Sequence, residues 1–238
     1  MPTVLLIRHG RTTANASGIL AGWSPGIELD DVGRRQAAEL AVRLREVPLR
    51  AIVTSPLERT RQTAAAIVEG AAVPVEVHVD DAVGECHYGD WTGRDLKSLA
   101  RDPLWKVVQS HPSAVVFPGG ESMSAMQHRA VVAIRAWNEK LGADAVYAVV
   151  SHGDVIKAIV ADALGTHLDL FQRISCDPCS VSVISYTASR PFVVRVNDTG
   201  GSLASLVPAK GRRGSDAVVG GGAGSTRARR PASPRRTG

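Results

Sequence analysis

Three short apolar runs constrain this chain more than any other feature. Val4-Leu5-Leu6-Ile7, Ala51-Ile52-Val53 and the "AVYAVV" that ends at Val150 show almost no alternation of apolar and polar residues. A strand with one wet face alternates, whereas a run apolar throughout fits a strand covered on both faces of an α/β sheet. Stretches of helical periodicity lie between the runs. In "LDDVGRRQAAELAVRLREV", Ala37, Leu40, Ala41, Leu44 and Val47 share one face, with Asp30 or Asp31 available as N-cap. "LERTRQTAAAIVEG" reads as a helix with Gly70 at its end, and "DVIKAIVADALG" as a later one. "ESMSAMQHRAVVAIRAWNEKLG" sets Met123, Met126, Ala130, Ile134, Trp137 and Leu141 on one side, a core stripe. "VPVEVHV", "SVSVISY" and "PFVVRVND" supply further strands. The alternation predicts a three-layer α/β/α sandwich with a mostly parallel central sheet.

In such sheets ligands bind beyond the carboxyl ends of the strands. There the chain places Arg8-His9-Gly10 after the first run and Ser151-His152-Gly153 after the last. After the middle run comes "TSPLERTRQTA", with Arg59 in the first turn of the next helix. If these strands are neighbours, Arg8, His9, Arg59 and His152 converge on one crevice. Two arginines and two histidines make a poor core but a good pocket for a phosphoryl group, which guanidinium forks pair in a bidentate way.

The remaining composition bounds the alternatives. With 238 residues, 44% of them hydrophobic, one sizeable core is affordable, and no apolar run reaches the length of a membrane span. The start "MPTVLLIRHG" has no basic leader, and Cys86, Cys176 and Cys179 form no disulfide framework, so a soluble cytoplasmic protein is expected. Cys176-Asp-Pro-Cys179 reads as a reduced structural pair. From Gly200 onward stand eight Lys or Arg and the single acid Asp216; that segment carries +7 of an overall +5 and leaves residues 1–199 at −2. The expected organisation is therefore a domain over 1–199 and a disordered basic Gly/Arg/Pro-rich tail over 200–238. The tail has no aromatic residues to stack on bases, so nucleic acid would bind it only weakly. Its "GGGAGSTR" lacks the spacing of a phosphate-binding loop. No membrane partner is expected, and a homo-oligomer stays open.

Several motifs in order now carry a resemblance. They are Arg8-His9-Gly10-x-Thr12 with Asn15, Leu29 with Gly33-x-x-Gln36-Ala37, and Thr54-Ser55-Pro56-Leu57 with Arg59-Thr60-x-Gln62-Thr63-Ala64. Glu85 with Gly89-x-Trp91-x-Gly93, Pro118-Gly119-Gly120-Glu121-Ser122 and Val150-Ser151-His152-Gly153 complete the set. The sequence resembles the histidine phosphatase superfamily in its phosphoglycerate-mutase-like branch. Ala14 departs from the large aromatic that many members carry before the Asn, and Asp30 replaces a common Thr.

The resemblance implies His9 as nucleophile, forming a phosphohistidine. It implies Arg8, Asn15, Arg59 and His152 as holders of the phosphoryl oxygens and Glu85 as proton donor to the leaving group. Spacing to Gly89 and Trp91 favours Glu85 over Asp90 for that role. No metal and no cofactor are implied. The expected activity is hydrolysis of small-molecule phosphate monoesters. The alternative is a phosphoglycerate-type mutase using the same intermediate; a non-enzymatic binding protein on this fold fits poorly with every catalytic position filled.

Overall fold

In the computed structural model, residues 1–201 and Gly220 are described. The chain runs β1 (Thr3–Arg8), α1 (Thr13–Ser17), α2 (Asp31–Leu44), β2 (Ile52–Thr54), α3 (Glu58–Gly70) and β3 (Val77–Val79). It continues through α4 (Leu96–Leu99), α5 (Pro103–Ser110), α6 (Met123–Leu141), β4 (Val146–Ser151), α7 (Gly153–Ala163), β5 (Val181–Tyr186) and β6 (Pro191–Asp198). No helix among the described residues is long and apolar enough to cross a membrane.

The six strands form one sheet in the order β3-β2-β4-β1-β5-β6. β3, β2, β4 and β1 are mutually parallel, while β5 and β6 each pair antiparallel with their predecessor in that order. The apolar runs are explained by what lies on each face. Val4 and Leu6 of β1 join Val149 of β4 in a core with Met126, Ile134, Ile156 and Ile159 of α6 and α7. Leu5 and Ile7 point the other way and join Ala148 and Val150 against Leu40, Ala64 and Ile67 of α2 and α3. Both faces are covered, so neither parity of the strand can be polar.

Local chemistry sets the helix ends as the sequence leads one to expect. Asp30 caps α2 by accepting the Gly33 N–H at 2.8 Å, and Ser122 caps α6 through the Ala125 N–H at 3.0 Å. Gly70 is the last residue of α3 without being a left-handed cap: Ala71 follows in extended conformation. β2 is shorter than the apolar run around it, three residues ended by Ser55 and Pro56. α2 begins hard against the loop after β1. A Cβ on Gly10 would stand 2.7 Å from the Gly33 carbonyl oxygen, and one on Gly33 would strike the Arg11 carbonyl. The two glycines thus let the first turn of α2 press on the segment that carries His9.

The expectation of a disordered tail falls on residues that, apart from Gly200, Gly201 and Gly220, lie outside the described ones. Cys86, Cys176 and Cys179 are free and buried.

Candidate active site

Sheet order decides the site. β1 and β4 are neighbours in register, Arg8 beside Ser151, and β2 flanks β4 on its other side. Three parallel strands therefore end at one edge, and backbone bonds continue the ladder past them. The His9 N–H donates to the Ser151 carbonyl at 3.0 Å and the Ser55 N–H to the Val150 carbonyl at 3.0 Å. This brings Arg8, His9, Arg59 and His152 together as expected. Loop residue Glu85 joins them, and all five are at most 3% exposed.

His9 is held by a 2.7 Å contact between Nδ1 and the carbonyl of Gly10. A carbonyl only accepts, so Nδ1 carries the proton and Nε2 keeps its lone pair. Burial, then Arg59 and Arg8, lower its pKa well below the ordinary imidazole value, so the ring is neutral at pH 7.

Arg59 donates through Nη2 to the Gly22 carbonyl at 2.8 Å and to Nδ1 of His152 at 3.3 Å. The receiving nitrogen must be unprotonated, so Nε2–H of His152 donates to the Ser55 hydroxyl at 2.8 Å. Burial and the same arginines keep His152 neutral. Its ring lies 5.3 Å from that of His9, centroid to centroid. Nη1 of Arg59 is buried and has no hydrogen-bond partner among the described residues. Arg8 donates from Nη1 to the Cys176 carbonyl at 2.8 Å, and the Cys179 N–H returns to the Arg8 carbonyl at 3.0 Å. The loop of the two cysteines therefore braces this arginine, a role their spacing did not suggest.

Glu85 carries the opposite perturbation. Burial foremost, then the nearby Asp154 carboxylate, push its carboxyl up to about 7. One oxygen accepts the Cys86 N–H at 3.0 Å; the other lies 3.8 Å from Nδ1 of His152, too far for a hydrogen bond. Asp90, the competing carboxylate, is exposed. Asn15 accepts the N–H and the hydroxyl of Thr12 on its carboxamide oxygen, at 3.1 and 2.9 Å, in a reciprocal cap of α1. Its NH₂ is thereby left as the group to donate.

A pocket here is lined by His9, Asn15, Arg59 and Glu85 with Ile19, Leu20, Ala21, Gly22, Leu96 and Gly220. Arg8 and His152 are not among these lining residues but adjoin His9 and Arg59. Several participants left no signal in the sequence. Arg129 of α6 donates to the carbonyls of Ala82, Gly84 and Glu85, each at 2.9 Å, and pairs both oxygens of Glu121. Trp23 adds an indole N–H to the Glu85 carbonyl at 2.7 Å and stacks on His87. Asp154, fully buried, accepts the Tyr88 hydroxyl at 2.9 Å.

The family model described as histidine phosphatase superfamily (branch 1) matches residues 4–199. Phosphoserine phosphatase 1 of Hydrogenobacter thermophilus is 31% identical over 207 residues, covering 84% of this chain and 93% of that one. A probable phosphoglycerate mutase, GpmB of Yersinia enterocolitica, is 33% identical over 191 residues, 79% and 87% of the respective chains. Among solved structures, YhfR of Bacillus stearothermophilus superposes with a TM-score of 0.77 at 28% identity, covering 83% of this chain and 98% of its own.

Proposed function

The chain belongs to branch 1 of the histidine phosphatase superfamily, and on that footing we propose that it hydrolyses small-molecule phosphate monoesters through a phosphohistidine on His9. The observation that carries this reading is the pair of arginines at 1% exposure beside a neutral histidine with a free Nε2. Guanidinium groups withdrawn from water are costly unless an anion compensates them. Arg59 still has a buried nitrogen to offer, so a phosphoryl dianion fits the place.

The steps follow from the protonation states. The Nε2 lone pair of His9 attacks phosphorus while the bond to the ester oxygen breaks, and Glu85 gives its proton to that oxygen. Arg8 and Arg59 hold the charge that spreads over the equatorial oxygens. The Glu85 carboxylate then takes a proton from water as that water attacks the phosphohistidine. Inorganic phosphate leaves, and His9 and Glu85 return to their starting states. His152 contributes as the dianion arrives: the negative charge raises its pKa, and a protonated ring can donate to a phosphoryl oxygen. Asn15 supplies a further N–H donor.

The relatives are named as a phosphatase and as a probable mutase, so the fate of the phosphoryl group separates two readings of one site. A mutase must hold a second anionic group while its acceptor is placed. Here Ile19, Leu20, Ala21 and Leu96 line the pocket beside the reacting groups, which favours a phosphatase. Turnover of a ³²P-labelled monoester, quenched in mid-course, is expected to leave acid-labile, base-stable label on His9. His9→Ala is expected to lose both label and turnover, and near-normal turnover in that variant refutes the mechanism.

A further inference from the structure

Gly220 is a wall of the pocket although it lies beyond the last strand. Its N–H donates to Oδ2 of Asp154 at 2.8 Å, the oxygen that also accepts the Tyr88 hydroxyl at 2.9 Å. The other oxygen of Asp154 faces the Lys157 ammonium at 3.4 Å. Asp154 is 0% exposed and sits in the first turn of α7, two residues after His152. A buried carboxylate fixes its donors firmly, because losing one leaves charge without compensation. The position also favours glycine. Its φ is 74°, and a Cβ there would stand 2.7 Å from Cδ1 of Leu20 and 3.7 Å from the Tyr88 hydroxyl.

We propose that Gly220 determines substrate specificity, closing the pocket against Leu20 and Tyr88 so that only a compact leaving group fits beside the phosphoryl site. The inference rests on the hydrolase reading above and deepens it. Ile19, Leu20, Ala21, Leu96 and Gly220 form an apolar flank, and Arg59 is the one cation among the described lining residues. The substrate class is thus a monoester of a small alcohol with an apolar side, carrying no second strongly anionic group.

Two measurements on the full-length protein test this. Phenyl phosphate and 2-naphthyl phosphate have similar leaving groups but differ by one ring. The unmodified protein is expected to prefer phenyl phosphate, and Gly220→Val to erode that preference in kcat/KM by tenfold or more. A valine cannot hold the φ that seats this residue. Amide hydrogen exchange supplies a readout independent of turnover: the Gly220 N–H is expected to exchange at least a hundredfold slower than in a free peptide. A substrate preference unchanged in Gly220→Val, including equal losses on both esters, overturns the proposal, as does an unprotected Gly220 amide. If the unmodified protein hydrolyses neither ester, the hydrolase reading falls and with it the specificity claim; the exchange rate still decides whether Gly220 is seated on Asp154.

Discussion

Glu85 and His9 are pushed in opposite directions by the same burial. Removal from water disfavours the charged form of each, so the carboxyl rises to about 7 and the imidazole falls. Near neutral pH a substantial fraction of Glu85 therefore keeps its proton while His9 keeps its Nε2 lone pair, the states the proposed mechanism requires. Glu85→Gln is expected to slow hydrolysis of alkyl phosphates by about 10²–10³-fold and of nitrophenyl phosphate far less, since nitrophenolate needs little protonation. In the unmodified protein, kcat/KM for alkyl esters is expected to fall as pH rises through about 7, the value of Glu85, and this limb should vanish in the variant. Equal losses on good and poor leaving groups would remove Glu85 as the acid. Stability moves in the same window. The folded state holds the Glu85 proton up to about 7, while the unfolded chain releases it near the ordinary 4.5, so rising pH between those values favours unfolding. Glu85→Gln is expected to flatten that slope and to raise the thermal midpoint at pH 8.

At the scale of elements, α6 fixes a segment that has almost no regular structure of its own. Between the short turns at Asp81–Val83 and Gly89–Trp91, Glu85 depends on Arg129 and Trp23 for its place. The guanidinium fork reaches three carbonyls and a carboxylate at once, which an ammonium point charge cannot match. Arg129 is thus a positioning residue, acting on the chemistry through the Glu85 backbone. Arg129→Lys is expected to lower the thermal midpoint, with about 1 kcal/mol lost for each hydrogen bond not remade. It is further expected to lower kcat by about tenfold with little change in KM, and more for alkyl than for nitrophenyl esters. A purely structural role would lower stability without that dependence on leaving group. The paired glycines at 10 and 33 serve the same end for His9, by letting α2 and the loop after β1 touch backbone to backbone.

Across the whole molecule, charge is unevenly placed. Residues 1–199 are slightly acidic, and the surplus of Lys and Arg follows Gly200. Long-range attraction of residues 1–199 for multiply anionic glycerates is therefore weak, and in the proposed reading affinity comes from the two buried arginines. Free phosphate release from monoesters without a bisphosphate primer is expected, with little interconversion of 3- and 2-phosphoglycerate. Assaying both reactions on one preparation decides this: efficient isomerisation with negligible phosphate release would make the protein a mutase.

The sequence by itself determined the layers and which residues stand at the carboxyl ends of the parallel strands. Runs such as Val4–Ile7 report burial on both faces, and Arg8, His9, Arg59 and His152 stand immediately after strands, where ligands of parallel sheets bind. Those features are local, so they can be read from neighbours in the chain. Glu85 was legible only through its resemblance to a family, because no strand or helix carries it. Only the tertiary structure decided that β4 lies between β1 and β2, and that β5 and β6 turn antiparallel. It alone shows Arg129 grasping a carbonyl 44 positions away and Gly220 seated on Asp154 from 66 positions away. Contacts made to backbone carbonyls and by backbone N–H groups impose no periodicity and no side-chain pattern, so they stay silent until the chain is folded.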